Sequence, residues 1–168
     1  MQATSEKAPK AERDAALYRL LVRDLTHGRF KGFLSDVKLL PEAAKTAPDN
    51  YEDKDFSVFF WAGGTDDGYT CPGITAIAET LAAKPNDVQG RLCLGEFFRI
   101  HSIMPTDPVD KDELGGTGTL FAGKLQHRED FYRDIMKDPK ARRADRAYAL
   151  YRAIYCCQGT NTCGRDDV

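Results

Sequence analysis

PNDVQGRLCLGEFF, residues 85–98, decides how the chain folds. Pro85 closes the segment before it, and Asp87 stands where a carboxylate accepts from the orphan amides of a new helix. Val88, Leu92, Leu94, Phe97, Phe98 and Ile100 then supply the apolar side chains of that helix. Gly95 costs about 1 kcal/mol in a helix interior and is tolerable where a neighbouring helix must come close.

Outward from this stretch the pattern stays helical. CPGITAIAETLAAKP precedes it, with Pro72 at a permissible first helical position and Ile74, Ile77, Ala78 and Leu81 on one face. From Ala11 to Thr26 a wide stripe holds Leu17, Tyr18, Leu20, Leu21, Val22 and Leu25, opposite Glu12, Arg19 and Arg23. Gly28 ends that helix, and Phe30, Phe33, Leu34 and Val37 open a second one before Pro41. So short a connection predicts an antiparallel helical hairpin. A polar connector covers 41–55, FSVFFWA (56–62) reads as a strand or a buried helical turn, and GGTDDG (63–68) reads as a turn. After a Pro, Asp and Gly loop at 104–119, Leu120 to Lys137 resumes helical character with Phe131, Ile135 and Met136 as core candidates. The last helix places Ala144, Ala147, Tyr148, Tyr151, Ile154 and Tyr155 on an apolar stripe, with Asp145 and Arg152 on the other side. No set of alternating strands emerges, and the expected class is all-α.

The 85–98 stretch resembles the junction between successive tetratricopeptide repeats. In that family a proline ends one repeat, an Asn-Asp-like pair caps the next helix, and a Leu-Gly-x-x-aromatic signature follows. Pro85, Asn86 and Asp87 followed by Leu94, Gly95 and Phe98 match that spacing. THGRFKGF (26–33) is similar to the turn inside such a repeat, and MKDPKARRADRAYALYRA places Asp138-Pro139 before a helix rich in small residues and tyrosines. No fixed period near 34 residues runs through the chain, and Gly28 and Pro41 are too close for one standard repeat. The resemblance therefore implies stacked antiparallel helical hairpins in a degenerate TPR-like array, an irregular α-solenoid or a bundle. It also implies a concave groove lined by the helix from Val88, with Gln89, Glu96 and Arg99 at positions that touch a peptide. Read without the family, Glu96 and Arg99 form a surface ion pair three residues apart.

Totals narrow the function classes. A net charge of −2 over 168 residues gives no electrostatic grip on nucleic acid or anionic membrane. The basic run KARRADR (140–146) is flanked by Asp134, Asp138 and Asp145 and reads as a solvated helix face. No apolar run approaches the ~20 residues of a membrane span, so no transmembrane segment is expected. MQATSEKAPKAE suits a flexible tail over 1–10, such as a tether left by a lost lipid anchor, ahead of one domain over 11–168. The end at CGRDDV, soon after the last helix, reads as a fragment of a longer protein.

Five cysteines point to an oxidising compartment, periplasmic or secreted. In YCCQGTNTC, Cys156 with Cys163 closes a short loop, with Cys157–Cys163 as the alternative register; such a closure contributes roughly 2–3 kcal/mol. Cys71 and Cys93 are available for a second bridge. Zinc is not supported, because there is no CxxC and His27, His101 and His127 lie far from the cysteines in sequence.

Two loops imitate ligand sites. GTLFAGKL (118–125) has the glycines and Lys124 of a phosphate-binding loop, yet Leu125 replaces the magnesium-binding hydroxyl and acidic DPVDKDELGGT precedes it instead of a buried strand. Asp110, Asp112 and Gly115 imitate a calcium loop, but Leu114 and Phe121 stand where oxygens are needed. The expected function is a non-enzymatic helical-repeat scaffold binding a protein or peptide in an extracytoplasmic compartment, such as a bacterial envelope protein, without metal or cofactor. The alternative is a small enzyme, thiol redox or nucleotide-dependent, using the C-terminal cysteines or the 118–125 loop.

Overall fold

Stripes of apolar residues three and four apart favour burial, and among the described residues helices that follow one another in sequence pack together. The computed structural model describes residues 8–49, 54–66, 68–104 and 123–160, with 155–160 by backbone alone. Among them are helices α1 (Lys10–Thr26), α2 (Phe30–Asp36), α3 (Ile74–Ala83), α4 (Val88–Ile100), α5 (Arg128–Lys137) and α6 (Arg143–Thr160). Contacts run from α1 to α2, α2 to α3, α3 to α4, α4 to α5 and α5 to α6, and α4 also meets α6. The architecture is mostly helical.

The features expected at the centre of the chain are present. Asp87 caps α4 by accepting from the Gly90 amide at 2.8 Å. Leu92, Leu94, Phe97 and Phe98 are buried, as are Ile74, Ile77, Ala78 and Leu81 of α3. Gly95 lies against α5: a Cβ there would stand 3.1 Å from the Tyr132 hydroxyl and 3.3 Å from Cβ of Arg128. Leu17, Leu21 and Leu25 of α1 pack with Phe30 and Phe33 of α2 into the same core. FSVFFWA forms a 3-10 turn, Phe56–Phe60, whose Phe59 is buried near Tyr18 and Phe33.

Four expectations need correction. The chain is not purely helical: β1 (Gly63–Asp66) and β2 (Tyr69–Pro72) form a two-stranded antiparallel hairpin, with Gly63 opposite Pro72 and Asp66 opposite Tyr69. Pro72 ends β2, so α3 begins at Ile74 and not at the proline. Helix α5 begins at Arg128, because Gly123 to His127 run beside the end of α1, where the Gln126 amide donates to the Thr26 carbonyl at 2.8 Å. The last helix is rotated from its expected setting. Asp145, Tyr148, Ala149 and Arg152 are buried, and Ala144, Ala147, Leu150 and Ile154 face water.

Cys71 on β2 and Cys93 on α4 are joined by a disulfide, with Cα atoms 5.4 Å apart. Closing 22 residues contributes about 3 kcal/mol in the loop-entropy account. The Cys156–Cys163 bridge falls outside the described residues, as do residues 1–7 of the expected tail, the 110–121 calcium-like loop and Gly118.

Asp24 of α1 is fully buried beside the first turn of α2, with Arg29 Nε 3.4 Å away. Burial is the main reason its pKa rises to about 6; Arg29 opposes the rise and Asp36 adds to it. A carboxyl that binds its proton more tightly when folded lends stability at low pH and loses it as pH rises from about 4 to about 6. Asp24→Asn is therefore expected to gain on the order of 1–2 kcal/mol over the parent at pH 7.5 and nothing at pH 3.5. Urea titrations at both pH values check this; a variant less stable at pH 7.5 would show that the ionised carboxylate is favoured.

Candidate functional site

The β-hairpin is too short to be stable by itself, and three anchors hold it against α4 and α6. The first is the Cys71–Cys93 bond. The second is Tyr69, which stacks on Tyr148 with ring centres 4.1 Å apart and planes 7° apart. Its hydroxyl donates to Asp145 Oδ1 at 2.9 Å. Burial and that hydrogen bond raise the Tyr69 pKa, so the phenol stays protonated. The third anchor is Asp66, which pairs with Arg99 of α4 at 3.3 Å and with Arg152 of α6.

Those ion pairs converge on Glu96. Arg99 donates to its two oxygens from Nη2 at 2.6 Å and Nε at 2.9 Å, and Arg152 approaches from the other side with Nε at 3.3 Å. The Glu96 carboxylate raises the Arg99 pKa, and burial followed by Glu96 raises that of Tyr148. Arg152 Nε donates to the Tyr148 hydroxyl at 3.0 Å, and its guanidinium lies over the Tyr148 and Tyr151 rings. Two carboxylates and two guanidinium groups make a neutral quartet, with Glu96 and Arg152 both almost without solvent exposure. The arrangement fixes three elements in one register.

Beside this junction an open cleft of about 630 Å³ separates the α3–α4 turn from the α5–α6 turn. Lys84, Pro85, Val88 and Gln89 line one wall, and Lys140, Ala141 and Arg142 the other. Gln89 Nε2 donates to the Thr70 carbonyl of β2 at 3.2 Å, which ties the cleft to the hairpin. Arg142 holds Asp145 through Nε and Nη2, each at 2.8 Å.

The three residues expected in a peptide groove thus occupy different places. Glu96 is buried, so the ion pair expected on the surface runs inward from an exposed Arg99. Arg99 sits at the edge of the quartet, and Gln89 lines the cleft. Lys124 of the phosphate-like loop stands on a non-helical segment four residues before α5, not in its first turn. Its neighbour Gly123 has φ +113°, and a Cβ there would meet the His27 carbonyl at 2.3 Å, so close packing on α1 accounts for that glycine. Sequence reasoning missed Asp66, Tyr69 and Arg152. The available signal was Asp145 and Arg152 at i and i+7, two opposite charges on one face of the helix.

Among the described residues no cluster of histidine, cysteine and carboxylate side chains is placed to hold a metal ion, and no helix is long and apolar enough to cross a membrane. Comparison with protein-family models, with curated proteins and with solved structures finds no match.

Glu96→Gln leaves buried Arg152 without the buried one of its two anions and is expected to cost about 3 kcal/mol. Adding Arg152→Met is expected to recover part of that loss, so the double variant is less destabilised than the sum of the singles. Urea denaturation of the four proteins measures the coupling, and strict additivity would contradict it.

Proposed function

We propose that the protein is a non-enzymatic, repeat-like helical scaffold that recognises another protein or peptide in an oxidising, extracytoplasmic compartment. One observation carries this reading: α6 turns Asp145 and Arg152 inward and leaves Leu150 and Ile154 exposed. Leu150 and Ile154 are 48% and 46% exposed, and Ile100 and Met104 at the end of α4 are 44% and 78% exposed. Covering the exposed half of one such side chain contributes roughly 1 kcal/mol to association. A helix face of this kind suits a partner surface. The succession of helices, each packed on the next, supports the repeat-like reading. The Cys71–Cys93 bond supports the compartment. The pairing of Glu96, Asp66, Arg99 and Arg152 with one another supports a structural role for these charges over a catalytic one.

Two measurements test the reading. A photo-crosslinking residue at position 150, in cells that make the protein, is expected to yield a discrete protein adduct. The same residue at exposed position 31 is expected to yield none, and Ile154→Glu is expected to abolish the adduct at 150. Absence of an adduct, together with a melting temperature raised by ATP and magnesium, would favour the nucleotide-dependent enzyme instead. For the compartment, protein purified without reductant and unfolded is expected to show at most three reactive thiols, the five cysteines less the bonded two. Five reactive thiols would remove the argument from oxidation.

A further inference from the structure

The cleft between the two inter-helix turns gathers three exposed cations, Lys84, Lys140 and Arg142, on its two walls. Several cations outside it are met by acids: Lys45 by Glu42 at 2.6 Å, Arg91 by Asp134 at 2.6 Å, Arg133 by Asp130 at 3.1 Å. In the cleft the two carboxylates are turned to internal work. Asp87 Oδ1 caps Gly90, and Asp145, 3% exposed in its side chain, is held by Arg142 and Tyr69. Lys84 and Lys140 are exposed on opposite walls, and neither has an ion-pair partner among the described residues. The Arg142 side chain is 69% exposed, and its bonds to Asp145 occupy Nε and Nη2.

We propose that this cleft binds an acidic peptide segment, with its carboxylates between Lys84, Lys140 and Arg142 and its stem on Pro85, Val88 and Ala141. The proposal rests on the scaffold reading above and names the chemistry that such a partner must carry. Three features favour a peptide over other anions. The cleft is large enough for several residues. It offers apolar wall as well as charge, and its lining holds no aromatic ring on which a nucleobase would stack. The positive charge also continues through exposed Arg143 and Arg146 onto α6, the helix that presents Leu150 and Ile154. A segment with acids followed by apolar residues would engage both surfaces.

The test is an amide NMR titration of the full chain with hexaglutamate at low ionic strength, beside hexaglutamine and oligothymidylate of equal length. Saturable shifts confined to residues 84–89 and 140–146, weakened by salt, are expected with hexaglutamate alone. Lys84→Glu with Lys140→Glu is expected to weaken that binding by about tenfold or more, and the paired Gln variants by less. The dispersion of each variant's spectrum verifies its fold. Shifts scattered over the surface, an equal response to oligothymidylate or hexaglutamine, or binding untouched by charge reversal would overturn the proposal. Crosslinking from position 150 separates the two readings: an adduct without hexaglutamate binding removes the cleft assignment alone, and loss of both removes the scaffold reading as well.

Discussion

The carboxylate of Glu96, held between the guanidinium groups of Arg99 and Arg152, sets the rotation of α6 and with it the character of the outer surface. Burying ions costs several kcal/mol each, and their mutual attraction offsets this only where geometry and charge balance are both good. Here Asp66 supplies the second anion, so the group is neutral, and Tyr148 gives Arg152 an acceptor and a ring face. Such a network contributes little net stability compared with an apolar replacement of the same volume. What it contributes is register. With Arg152 drawn inward, Asp145 and Tyr148 must follow on the same face, and Leu150 and Ile154 are left outside.

The same constraint explains the small sheet. Strands of four residues containing Gly63, Gly64 and Pro72 have poor intrinsic strand preference. The hairpin exists because its side chains are held from outside: Cys71 by α4, Tyr69 and Asp66 by α6 and α4. It acts as a clip across two helices, and the cleft opens where its second strand meets the starts of α4 and α6.

Much of the helical framework was legible in the sequence because its signals are local. Asp87 before an apolar run announces a cap, Gly95 announces a close neighbour, and the leucines of α1 announce a buried stripe. The hairpin was not legible as strands, because four residues are too few to show alternation; Asp67-Gly68 was the hairpin dipeptide present in the text of the chain. The face of α6 was misread for a different reason. Hydrophobic periodicity assumes that charges seek water, and Asp145 and Arg152 instead find partners on other elements, which no local pattern encodes. Of the groove residues named from sequence, Gln89 alone reaches the cleft, and Lys84, Lys140 and Arg142 owe their common site to two turns some fifty residues apart.

The setting of α6 is most directly measured by hydroxyl-radical footprinting of the dilute monomer, read residue by residue along the helix. Strong modification of Leu150 and Ile154 with protection of Tyr148 is the predicted result. Protection of Ile154 together with Tyr148 would place the stripe expected from the sequence inside and contradict the account.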